Sequence, residues 1–93
     1  MDAKLIDRFW NAQFADPEHK NIQRFINDMY KTFVPYRKWK KVCRAYDRFM
    51  HMDYTEKDML CILRFYLEAK AVYKRMRQVA EMMDTEGKEK AAG

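Results

Sequence analysis

Tyr36-Arg37-Lys38-Trp39-Lys40-Lys41-Val42-Cys43-Arg44-Ala45-Tyr46-Asp47-Arg48-Phe49-Met50 reads as a helix with two unlike faces. With Arg37 at zero and ~100° of turn per residue, Arg37, Lys40, Lys41, Arg44 and Arg48 fall within roughly 60° of zero. Trp39, Val42, Cys43, Tyr46, Phe49 and Met50 fall within roughly 60° of the opposite pole, and Lys38 lies on the flank. An apolar stripe of helical period has to be buried against another element, so the flanking segments must supply a partner for it.

Both flanks supply one. Upstream, Ile22, Phe25, Ile26, Met29 and Phe33 repeat at helical spacing and predict a helix from Pro17 to Phe33. Asp16 can cap it and Pro17 suits a first helical position, while Val34-Pro35 ends it, because the residue before proline leaves the helical region. Further upstream, Leu5, Ile6, Phe9, Trp10 and Gln13 predict a helix from Ala3 to Phe14 with Asp2 as N-cap. Downstream, His51-Met52-Asp53-Tyr54 breaks the pattern and Thr55 is placed to cap a helix that starts at Glu56. That helix runs to Met83 without an internal glycine or proline and has a wide apolar surface.

The chain is therefore expected to be all-α: a small helical bundle of about four helices with a long C-terminal helix. Residues 1–84 are expected to form a single helical domain, with residues 85–93 as a flexible polar tail. The expected core is Phe25, Ile26, Met29, Trp39, Val42, Tyr46, Leu63, Leu67 and Met76, with Trp10, Phe14, Phe33 and Phe49 as further core aromatics. The last helix, ~28 residues and ~42 Å long, outruns the others. Its C-terminal half, with Val72, Met76, Val79 and Met83, is expected to pair with another copy, making a homo-oligomer, or with a partner helix.

Composition agrees with helices. The 93 residues include two glycines and two prolines, too few for a turn-rich β fold. No run of ~18 apolar residues suggests a membrane span, and the start lacks the layout of a secretion signal, so a cytoplasmic location is expected. Cys43 and Cys61 fall on apolar helix sides and are expected to be buried free thiols. They and the two histidines, His19 and His51, show no metal-type spacing, so neither a metal nor a cofactor is expected.

No catalytic arrangement is visible. There is no serine, Thr32 and Thr85 have no local activator, and Gly87 and Gly93, the only glycines, make no phosphate loop. The expectation is a protein that is not an enzyme.

Charge is the informative feature. The formal net charge of +5 is concentrated in residues 35–48, which hold six basic side chains and one acidic one. Like charges at i, i+4, as in Arg37–Lys41, Lys40–Arg44 and Arg44–Arg48, cost a few tenths of a kcal/mol each, and a helix selected for stability alone would mix signs. Lys70, Lys74 and Arg77 extend the basic character into the last helix. The face can be read as a solvated surface, as a binding site for nucleic acid or a nucleoprotein, or as a site for an acidic protein surface. Tyr36 beside Arg37 is placed to stack on an exposed base. Glu56 and Asp58 at the start of the last helix would repel phosphate, which argues against base reading by a helix-turn-helix and for backbone contact along Tyr36–Met50.

Phe65-Tyr66-Leu67-Glu68-Ala69-Lys70-Ala71-Val72-Tyr73-Lys74 resembles a late helix in the small helical subunits of type III CRISPR effector complexes, basic bundles that stack along guide and target RNA. The resemblance covers these ten residues. It implies no enzyme activity, backbone contacts by Lys70 and Lys74, and partners within a ribonucleoprotein. Size and charge also fit the compact helical proteins by which phages and other mobile elements block host nucleoproteins, such as CRISPR effectors. In that reading the basic face meets an acidic protein surface or guide RNA.

Overall fold

A computed structural model describes the backbone of residues 2–92 and the side chains of residues 2–84. Among the described residues the protein is all-α, with four helices. Helix α1 covers residues 3–15, and its last turn, Asn11–Ala15, is π-helical. Helix α2 covers residues 19–33 and contains a second π-helical turn, Ile26–Tyr30. Helix α3 is Tyr36–Met50 and α4 is Glu56–Ala92. The expected polar tail, 85–93, falls on residues whose side chains lie outside those described.

Caps set the boundaries. Asp2 accepts the Lys4 amide at 3.0 Å, and Asp16 accepts the Glu18 amide at 2.9 Å to turn the chain between α1 and α2. Pro17 stays in that turn, and α2 starts at His19. At the head of α4, Thr55 Oγ1 accepts the Asp58 amide at 3.3 Å while Asp58 Oδ2 accepts the Thr55 amide at 3.0 Å. This reciprocal box satisfies two amides that a helix start leaves free.

α3 ends in a Schellman turn, in which the Asp53 amide donates to the Arg48 carbonyl at 2.9 Å and the Met52 amide to the Phe49 carbonyl at 3.1 Å. Met52 takes the left-handed conformation, φ 58°. The turn sends α4 back antiparallel to α3, and ion pairs Lys38–Glu68 and Arg48–Asp58 fix the register at the two ends.

The core has two connected parts. Ile22, Ile26 and Tyr30 of α2 meet Val42 of α3 and Phe65, Tyr66 and Ala69 of α4. Leu5 and Phe9 of α1 meet Ala45 of α3 and Met59, Ile62 and Leu63 of α4. Phe25, Trp39 and Tyr46 pack at the margins, half-buried.

Several core expectations are corrected. Met29 and Phe33 are exposed because the π-helical turn inserts an extra residue. The buried face then runs Ile22, Ile26, Tyr30 and on to Val34 rather than through Met29 and Phe33. Trp10 and Phe14 are exposed and stack on each other at 4.6 Å, since α1 buries Leu5, Phe9 and Gln13 instead. Leu67 and Met76 are also exposed, the first on the outer side of α4 and the second beyond the reach of the other helices. Cys43 is exposed and Cys61 half-buried, because α3 turns Val42 and Ala45 inward.

The molecule extends 59 × 28 × 16 Å with a radius of gyration of 16.7 Å. A compact chain of this length has about 12 Å, so the excess reflects α4 projecting from the bundle. After Ala69 only Lys70 and Tyr73 are half-buried among the described residues, and residues 74–84 are all exposed.

Candidate nucleic-acid interface

α3 buries Val42 and Ala45, so the positions on its far side face solvent. Arg37, Lys40, Lys41 and Arg44 are exposed there, and none has an ion-pair partner among the described residues. With Arg48 they line a shallow concavity of about 380 Å³. Lys40 Nζ lies 6.0 Å from the centroid of the Tyr36 ring, which is 74% exposed and free to stack on a flat ligand.

Four other cations singled out in the sequence are engaged by the chain's own acids. Arg48 grips Asp58 with two hydrogen bonds, Nε to Oδ2 at 2.8 Å and Nη2 to Oδ1 at 2.5 Å. That guanidinium, helped by the Thr55 amide and hydroxyl, outweighs burial and holds the Asp58 carboxyl at about 2, against an ordinary 3.8. Lys38 pairs with Glu68, whose hydrogen bond raises the lysine pKa. Lys70 pairs with Asp16, where burial pushes the carboxyl up but Lys70 and the Glu18 amide win and the value falls. Arg77 donates to Glu18 at 2.9 Å and lies over the Tyr73 ring at 5.9 Å. Lys74 is exposed beside Tyr73 and Arg77 in a small cleft of about 180 Å³.

The basic stripes of α3 and α4 are therefore separate. Lys70, Lys74 and Arg77 are drawn to the α1–α2 connection through Asp16 and Glu18, away from the outward face of α3. Asp58 is buried and neutralised by Arg48, so it does not present the repulsive charge expected of it.

Two cations escaped the sequence reading. Lys57 and Arg64 of α4 line a groove of about 630 Å³ against α3, together with Lys41. The short turn after Met50 is the signal that would have found them, since an antiparallel return sets α4's first three turns beside α3.

Val72, Met76, Val79 and Met83 line an apolar groove of about 360 Å³ on the projecting part of α4, with Arg75 and Ala80 at its edges. Among the described residues no group of three or more histidine, cysteine, aspartate or glutamate side chains is placed to hold a metal ion, and no helix is long and apolar enough to cross a membrane.

A buried polar cluster lies where α1, α2 and α4 meet. Gln13 accepts from Gln23 at 3.3 Å, and the His19 ring is 5.6 Å from that of Tyr66. Burial first, and then the nearby Asp16 carboxylate, pushes the Tyr66 phenol above its ordinary value.

Scans of the chain against protein-family models, curated proteins and solved structures found no match.

Proposed function

We propose that this is a non-enzymatic nucleic-acid or nucleoprotein binding protein that grips the phosphate backbone with the outward face of α3. The observation that carries the reading is a division among the cations. Lys38, Arg48, Lys70 and Arg77 are neutralised internally, whereas Arg37, Lys40, Lys41 and Arg44 form one exposed patch with no ion-pair partner among the described residues. A patch of one sign on a rigid helix gives shape- and backbone-directed contact without base reading. Tyr36 at the start of the patch adds a stacking surface for an unpaired base. Two free cysteines suit a reducing, cytoplasmic setting. A ribonucleoprotein subunit and a mobile-element inhibitor docked on a host nucleoprotein are two forms of this reading.

The test is charge reversal. Lys40→Glu, Lys41→Glu and Arg44→Glu together should abolish binding to labelled RNA and DNA oligonucleotides in an anisotropy titration while leaving the circular dichroism unchanged. Equal binding by wild type and variant would refute the reading.

The exposed stripe on α4 supports a second property, self-association. Val72, Met76, Val79 and Met83 repeat at four, three and four residues, the seam spacing of paired helices, and the rest of the bundle leaves them open.

A further inference from the structure

The groove between α3 and α4 borders the outward patch, sharing Lys41 and Arg48 with it, but its other lining residues are its own. Its floor is apolar: Val42 and Ala45 from α3, and Leu60, Cys61 and Phe65 from α4. Its ends are closed by the Lys38–Glu68 and Arg48–Asp58 pairs, which tie the two walls together and fix their separation. Between those ends the balance changes. Lys41 on one wall and Lys57 and Arg64 on the other have no ion-pair partner among the described residues. The register set by the two closing pairs brings Lys41 and Arg64 to about the same level, so two like charges stand on opposite walls of an apolar floor. A carboxylate placed there would relieve the repulsion and bridge both walls.

We infer that this groove docks an acidic amphipathic helix of a partner protein. The length fits: from Lys38 to Arg48 the wall is ~15 Å, about three helical turns. Apolar side chains at i, i+3 or i+4, and i+7 of the partner cover Leu60 and Cys61, and its flanking glutamates or aspartates meet Lys41, Arg64 and Lys57. The floor favours a helix over a nucleic-acid strand. A single strand gains affinity by stacking on open aromatic rings, and the one ring in the floor, Phe65, is 1% exposed and offers none. The chain then carries two different sites, a phosphate-binding face on α3 and a protein-binding groove beside it.

The experiment titrates isotope-labelled full-length protein with a blocked synthetic peptide of about 15 residues. The peptide carries leucines at helical spacing and glutamates on both flanks. The expected result is saturable binding, with amide shifts centred on Lys41, Ala45, Cys61 and Arg64. Lys57→Glu with Arg64→Glu should weaken the peptide at least about tenfold with helicity intact, as expected when two charge-assisted contacts are reversed. The same peptide with lysines for glutamates should not bind. Lys40→Glu with Arg44→Glu should leave peptide binding intact while it weakens oligonucleotide binding, so failure at either site is seen separately. The proposal is overturned if the acidic peptide does not saturate, if Lys57→Glu with Arg64→Glu binds it like wild type, or if an oligothymidylate rather than the peptide shifts Cys61 and Arg64, which lie outside the α3 patch.

Discussion

Single residues at the α3–α4 turn determine how the two helices are held together. Met52 adopts φ 58° without the freedom of a glycine, and an L-residue there loses roughly 1 kcal/mol to contact between its Cβ and the carbonyl. Its side chain is 86% exposed, so removing it forfeits little packing. Met52→Gly should therefore raise stability by about 0.5–1 kcal/mol, read as a higher midpoint in urea. Asp58 is the opposite case, a residue joined to its surroundings by four hydrogen bonds from or to Arg48 and Thr55. Its carboxyl titrates at about 2 in the fold against an ordinary 3.8, so its stabilisation is complete above that ordinary value and fades as the pH falls toward 2. Asp58→Asn should cost roughly 1–2 kcal/mol at neutral pH, or about 5–10 °C in melting temperature for a domain this size. The gap between variant and wild type should close between about pH 4 and pH 2 in thermal melts, and a gap that stays constant with pH would rule out the ion pair as its cause.

At the scale of helices, periodicity in the sequence marks where each element lies but not its register where π-helical turns intervene. The two faces of α3, the Thr55 cap and the breaks at Pro35 and His51 are all legible, because capping chemistry and proline act locally. The exposure of Met29 and Phe33 is not, since a π turn adds one residue to the repeat without a sequence mark. The basic face of α3 is likewise legible as a face. Which of its cations are neutralised depends on Glu68 and Asp58, distant acids that only the antiparallel packing brings near. α4 carries the other expectation at this scale. Its projecting stripe, from Val72 at 38% exposed to Met83 at 67%, is more apolar surface than a free helix end needs. Wild-type protein should show a sedimentation-derived mass that rises toward twice that of one chain with concentration. Val79→Glu, an exposed position, should remain a monomer with unchanged helicity. A wild-type mass fixed at one chain across the millimolar range would eliminate self-association through this stripe.

The whole molecule sorts its charges into internal and external sets. The acids Asp58 and Glu68 of α4 bind cations of α3, and Asp16 and Glu18 in the α1–α2 turn bind cations of α4, so these pairs hold the bundle together. Among the cations left over, Arg37, Lys40, Lys41 and Arg44 cluster on α3, and Lys57 and Arg64 line its groove with α4. That arrangement makes the central claim, phosphate-backbone binding by α3, a statement about salt. Each phosphate neutralised releases counterions and adds about −0.7 to −0.9 to the slope of log affinity against log salt. The most direct measurement is that slope, taken by anisotropy with a labelled oligonucleotide from low to physiological salt. Arg37, Lys40, Lys41 and Arg44 should give the wild type about −2.8 to −3.6, and Lys40→Ala with Arg44→Ala should reduce its magnitude by roughly 1.5. A slope near zero, or one that the double substitution leaves unchanged, would contradict the assignment of this face as the nucleic-acid interface.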